Sequence, residues 1–239
     1  MDRYERLAQA FVSLADTLVA DYDVVELAQQ LVDDSMALLP VDAVGIVLVG
    51  VNDDPHVLAS SSEQTHLLEI LQLQADAGPC LLAYRTGEPI LVDDLDVDSD
   101  RWPTFAERAR EVGFRAIHAL PLRLREERLG SVNLLRFKTG HMSDVDIAIA
   151  QALADVATIG ILHQRVVMRS EGVNAQLRTA LQTRVIIEQA KGVLAERGGL
   201  DMDTSFRLLR QHARRTNQLL GKLARAVIEG ADTTAILGQ

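Results

Sequence analysis

The chain changes sign near residue 165, and that change constrains its organisation more than any single motif. Residues 1–164 carry 12 Lys and Arg against 27 Asp and Glu, a balance of −15; residues 165–239 carry 12 against 7, a balance of +5. At 239 residues two small domains are expected, and the change of sign says where they part. Apolar residues make up 48% of the chain, enough for packed cores and too many for wholesale disorder. An acidic whole argues against a general coat for nucleic acid, whereas a basic minority domain argues for a specific contact.

The basic part is patterned as helices. In RVIIEQAKGVLAERGGL, from Arg184 to Leu200, a period of about 100° per residue puts Ile186, Ile187, Ala190, Val193 and Leu194 on one face. Arg184 and Lys191 fall beyond the edge of that face, toward solvent, and Gly198-Gly199 ends the helix. A second helix follows with Phe206, Leu209 and Ala213 inward, and with Arg207, Arg210 and Arg214 along one flank. A third, carrying Leu219, Leu220, Leu223 and Val227, ends at Gly230. Guanidinium groups grip phosphate bidentately, so Arg184, Lys191, Arg207, Arg210, Arg214 and nearby Asn217 form the candidate nucleic-acid surface. The region has no Tyr or Trp, and Phe206 lies on the apolar face, so stacking on splayed bases is not the expected mode. This chemistry alone does not choose between RNA and DNA.

The acidic part alternates helix and strand. Residues 3–39 carry two helical stripes, Leu7-Phe11-Leu14-Leu18 and Val24-Leu27-Leu31-Leu38, broken at Asp21–Asp23 and ended by Pro40. A buried strand over Ala43–Val51, the turn Asn52-Asp53-Asp54-Pro55, and a returning strand over His56–Ser60 make a hairpin. Helices are expected over Glu63–Gln74, Cys80–Arg85 and Arg101–Val112, with a short strand at Ile90–Val92. Arg115–Arg123 and Arg128–Phe137 give a second hairpin around Arg125–Glu127, so the expectation is an antiparallel sheet flanked by helices. Ser143 and Asp146 resemble a capping box that opens a long helix. Its seam of Ile147, Ala150, Ala154, Ala157 and Ile161 suits pairing with another helix, and Gly172-Val173-Asn174 is the expected hinge.

Other chemistry is thin. The single Cys80 cannot form an internal disulfide, which fits a reducing compartment, and a position at a helix start after Gly78-Pro79 would lower its thiol pKa. It stands as a possible redox residue. Asp94, Asp96, Asp98 and Asp100 alternate like a calcium loop, but Ser99 and Phe105 stand where Gly and Glu are needed, so a solvated acidic loop is expected. The six histidines show no metal-ligand spacing, and His118 is read as a satisfied sheet residue. No phosphate loop, dinucleotide fingerprint or nucleophile elbow is present, so no metal, cofactor or catalytic residue is expected. The first residues have no signal-peptide pattern, and no run reaches the roughly 18 apolar residues of a membrane span, so a cytoplasmic protein with no membrane contact is expected.

Two resemblances sharpen this reading. Through Arg184, Ile187, Gln189-Ala190-Lys191-Gly192, Leu194, Gly199-Leu200, Phe206, Leu209-Arg210, Ala213, Asn217 and Leu223-Ala224, residues 177–230 resemble the ANTAR domain, a three-helix RNA-binding module of bacterial antiterminators. Ser205 and Ala195 depart from its pattern where Ala and Met are usual. Through Gly78-Pro79-Cys80, Arg85-Thr86-Gly87-Glu88-Pro89, Asp94-Leu95, Arg101-Trp102-Pro103, Gly113, Leu120-Pro121-Leu122 and Gly130, residues 20–165 resemble the GAF domain of actinobacterial GAF–ANTAR regulators. The resemblance implies an α+β chain: a GAF sensor over 1–165 with N-terminal helices, a helical linker at 166–176, and an all-α three-helix ANTAR domain over 177–239. It implies a homodimeric, non-enzymatic, signal-responsive antitermination regulator that presents the ANTAR helices to paired RNA hairpin loops overlapping a terminator, with a small-molecule ligand for the GAF domain. Lys191, Arg210 and Asn217 match family positions; Arg207 and Arg214 are added on charge and spacing. Two alternatives remain: a GAF-type methionine sulfoxide reductase using Cys80, which would lack a resolving thiol, and a GAF domain that only dimerises.

Overall fold

The computed structural model describes residues 2–16, 23–50, 53–167, 176–216 and 218–238, with the side chains of 164–182 excepted. The expected hinge at Gly172-Val173-Asn174, most of the expected linker and Asn217 lie outside the described residues. Two compact units are formed: Met1–Ala20 with Leu27–Val173, and Asp21–Glu26 with Asn174–Gln239.

The first unit is built on five antiparallel strands, β1 (Ala43–Val49), β2 (Pro55–Ser60), β3 (Ile90–Val92), β4 (Ala116–Leu124) and β5 (Glu127–Arg136). Their order is β2-β1-β5-β4-β3. β1 is buried along its whole length and reads as a run of apolar residues, while β4 and β5 turn exposed only at the hairpin that joins them. With the sheet go helices α1 (Arg3–Asp16), α2 (Val24–Leu38, from Leu27 onward), α3 (Glu63–Gln74), α4 (Pro79–Thr86), α5 (Pro103–Glu111) and α6 (Asp144–Val167), of which α3, α4 and α6 pack directly on strands. Their ends follow local chemistry. Ser62 caps α3 by accepting from the Thr65 N–H at 3.2 Å. Pro79 and Pro103 occupy first-turn positions that need no N–H donor, and Gly87 closes α4 in the left-handed region at φ 73°. The expected box at α6 is present: the Asp146 N–H donates to Ser143 Oγ at 3.1 Å, and that hydroxyl donates to Asp146 Oδ2 at 2.6 Å.

Two expectations about α6 change. Asp144–His163 is long and apolar enough to cross a membrane by length and composition, contrary to the reading that no run was. Its buried residues, Ala150, Leu153, Ala154, Ala157 and Ile161, belong to a face packed on β4 and α1, as in a core helix. The seam of small residues thus meets a strand as well as a helix, because small side chains let a helix lie close to a sheet.

On the sheet face toward α3 and α5, partnered residues form successive rungs: Ala43, Leu135 and Ile117; then Gly45, Asn133 and Ala119; then Val47, Ser131 and Pro121. The first rung joins Leu68, Phe105, Ala106, Ala109 and Phe114 in an apolar cluster. The second carries a buried carboxyl. Asn133 Nδ2 donates to Glu69 Oε2 at 2.7 Å, and Gln72 Nε2 donates to the same oxygen at 3.1 Å. A Cβ at residue 45 would lie 2.5 Å from Glu69 Oε1, so only glycine admits this approach.

Burial raises the Glu69 pKa to about 8, against the opposing Asn133 hydrogen bond, from an ordinary 4.5. Folding therefore takes up a proton between those values. The stabilising contribution is complete below about pH 4.5 and is lost as pH rises through about 8. His118, whose pKa is lowered by burial from its ordinary 6.5, acts in the opposite direction. Thermal melts of the wild type and Glu69→Gln isolate the Glu69 part: the wild type should lose stability relative to the variant as pH rises from 5 to 8. A constant difference across that range would refute a neutral buried Glu69.

Candidate nucleic-acid interface

The second unit consists of α7 (Gln176–Gly198), α8 (Met202–Thr216), α9 (Leu220–Ile228) and a short α10 (Thr234–Leu237) that the sequence pattern did not reveal. Ile187, Ala190 and Leu194 of α7 pack with Leu209 and Ala213 of α8 and with Leu220, Leu223, Ala224 and Val227 of α9. Ile236 of α10 adds to the buried set. Asp201 starts α8, accepting from the Thr204 N–H at 2.7 Å and the Thr204 hydroxyl at 2.9 Å. Those bonds, the Thr204 N–H foremost, hold its carboxyl below the usual range. Ser205 is wholly buried and donates to the Asp201 carbonyl at 2.9 Å, a bond that alanine would not make.

The expected cationic residues fall into three settings. Arg184 and Lys191 do not face solvent as expected: they are 7% and 3% exposed. Glu188, between them on α7, holds Arg184 Nη2 at 2.7 Å and Lys191 Nζ at 2.8 Å. Spacings of four and three put all three residues on one side of the helix, where a shared carboxylate offsets the loss of hydration. Lys191 Nζ also sits 5.6 Å from the centre of the Phe206 ring, a cation–π contact from α7 to α8 that spacing alone could not disclose.

Arg210 and Arg214 share a second carboxylate. Glu26, from the short Asp21–Glu26 segment of the same unit, lies 3.1 Å from Arg210 Nε and 2.8 Å from Arg214 Nη2. Arg207 is exposed, with its guanidinium 3.4 Å from Thr204 Oγ1. Arg197, Arg215, Lys222 and Arg225 are also exposed cations of this unit that the flank reading left out.

Removing the shared anion tests the first group. Glu188→Ala removes the carboxylate that both buried cations hold, at a cost of about 2–3 kcal/mol, less than for a fully buried pair because Glu188 is partly exposed. Denaturant titration followed by helical circular dichroism measures it, and an unchanged midpoint would mean that water answers both charges.

The remaining candidates lie in the first unit. Cys80 is the second residue of α4, with its N–H donating to Gln72 Oε1 at 3.2 Å, but it is fully buried. Burial pushes the thiol pKa well up, and the nearby Glu69 pushes the same way, so the expected lowering at a helix start is overridden. A thiol-specific disulfide reagent should modify native Cys80 only as fast as the unit opens. Rapid stoichiometric reaction under native conditions would contradict that burial. His118 is buried with Nε2 2.9 Å from Asp93 Oδ1, and Asp96 of the acidic loop pairs with Arg110 at 2.7 Å and Arg115 at 3.3 Å. No group of three His, Cys, Asp or Glu suited to a metal occurs among the described residues.

Comparison with known proteins assigns both units. The ANTAR domain family matches residues 175–228, and the GAF domain family matches residues 21–161. The GAF domain of a phosphoenolpyruvate-protein phosphotransferase from Coxiella burnetii is similar at 18% identity and TM-score 0.52, over 68% of this chain and 96% of that one. A GAF domain/HD domain protein from Geobacter sulfurreducens is similar at 18% identity and TM-score 0.51, over 64% and 98%. The free methionine-R-sulfoxide reductase of Neisseria meningitidis, solved with its substrate, is similar at 16% identity and TM-score 0.52, over 69% and 91%. At these identities the likeness shows the fold alone. No curated protein matches the chain.

Proposed function

We propose, for a chain that belongs to the GAF family and carries an ANTAR domain after it, a cytoplasmic regulator of transcription antitermination. ANTAR is an RNA-binding antitermination domain and GAF a sensing domain. In this reading a homodimer presents two ANTAR helix sets to a pair of RNA hairpin loops overlapping a terminator, and a small molecule in the GAF domain governs the contact. The observation that carries it is the concentration of cations on the C-terminal helices of an acidic chain. Arg207 and Arg214 are exposed there, and Arg197, Arg215, Lys222 and Arg225 are further exposed cations of the same unit. Carboxylates that hold guanidinium groups in place also fix the rotamers a phosphate would meet. Asn217 belongs to the proposed surface by its position in the family pattern. The rival reading, redox catalysis at Cys80, is disfavoured by the burial of that thiol.

Filter binding to a two-hairpin RNA across a salt series tests the proposal. Affinity should fall steeply with salt, and Arg207→Ala should weaken binding and reduce the slope by about one phosphate contact without lowering the melting temperature. A flat salt dependence, or equal affinity for any duplex, would sink it.

A further inference from the structure

The helical unit includes a short acidic segment from far away in the chain. Residues 21–26 open the stretch that matches the GAF family, yet they pack within the unit that holds the ANTAR helices. Among the described residues of that segment Val25 is wholly buried, while both acids, Asp23 and Glu26, are partly exposed. Each acid meets a group suited to phosphate.

Glu26 meets the arginines. Arg210 Nε donates to Glu26 Oε1 at 3.1 Å and to Oε2 at 3.2 Å, and Arg214 Nε donates to Oε1 at 2.9 Å. Arg210 and Arg214 are four residues apart on α8, so one carboxylate engages both guanidinium groups as a phosphate would. Asp23 meets the start of α9. Leu219, at the N-cap, makes no side-chain bond to the free N–H groups of the first turn. The Asp23 carboxyl supplies one: the Gly221 N–H bonds to it, and a Cβ at residue 221 would stand 3.2 Å from Asp23 Oδ2. Helix N-termini are also where phosphate groups bind.

We propose that residues 21–26 are an internal competitor for the backbone phosphates of RNA, with the Glu26 carboxylate standing in for phosphate on Arg210 and Arg214 and Asp23 doing so at the start of α9. The inference rests on the RNA reading and adds regulation to it. Geometry supports exchange over permanent pairing. The side chains of Glu26 and Arg214 are 29% and 52% exposed, so an incoming anion reaches them, and a partly exposed ion pair stabilises a fold little. A strand with several phosphates gains from every counterion that its binding releases. Glu188 differs, since it lies on α7 with Arg184 and Lys191 and cannot leave them without unwinding that helix. Glu26 belongs to a separate segment, and α2, which carries it, runs on from Leu27 into the first unit. A signal that moves α2 then changes the number of cations open to RNA.

Filter binding of the full chain to the two-hairpin RNA compares the wild type with Glu26→Gln. The variant should bind about 5–10-fold more tightly, the gain expected if the segment leaves the arginines open roughly a tenth to a fifth of the time. Glu196→Gln, which removes an exposed acid elsewhere on α7, should gain less than about twofold, separating competition from bulk charge. Hydrogen exchange on the wild type needs no variant. RNA should slow exchange on α8 and speed it over residues 24–26, where the Val25 N–H donates to Asp23 Oδ1 at 2.9 Å. If the RNA reading itself fails, neither protein binds the hairpins. Linear polyphosphate, which has no bases, then reads the competition alone and should still prefer Glu26→Gln by a similar factor. Equal affinity of wild type and Glu26→Gln for polyphosphate, a gain matched by Glu196→Gln, or slowed or unchanged exchange over residues 24–26 in the RNA complex would overturn the proposal.

Discussion

A charge taken out of water must be answered by a counter-charge, a proton or hydrogen bonds, and both units are shaped by how they meet that demand. In the α/β unit, Glu69 lies on the sheet because two amides donate to one of its oxygens and because burial keeps it protonated to about pH 8. In the helical unit, Arg184 and Lys191 are drawn inside the helix packing because Glu188 stands between them. Without these answers each group would cost several kcal/mol, comparable with the whole stability of a small domain.

The same constraint distributes function. In the helical unit Glu188 and Glu26 hold cations within the packing, while Arg207, Arg215 and Lys222 stay exposed.

How legible was this in the sequence? The helix over Glu63–Gln74 and the strand over Ile90–Val92 were read to the residue, because flanking Ser, Gly and Pro set sharp limits. The hairpin strands were placed within one or two residues, since apolar runs locate a strand better than they end it. The short helix at Thr234–Leu237 carried too few residues to show a period. The site was less legible. The flank of Arg207, Arg210 and Arg214 was visible as spacing, but its carboxylate partner, Glu26, lies 184 residues from Arg210. The start of α4 suggested a reactive Cys80, and only packing revealed that the thiol is buried beside Glu69.

Sequence by itself determined the division of charge, the antiparallel hairpins, the helical C-terminal region and the identity of the cations, because each depends on composition or on short periods along the chain. Tertiary structure alone decided which of those cations meet solvent, that Glu188 and Glu26 each hold two of them, and that Glu69, Gln72 and Asn133 meet in one buried patch. The reason is physical: burial and ion pairing depend on distance in space, and residues 69, 72 and 133 become neighbours only when β5 pairs with β1 under α3.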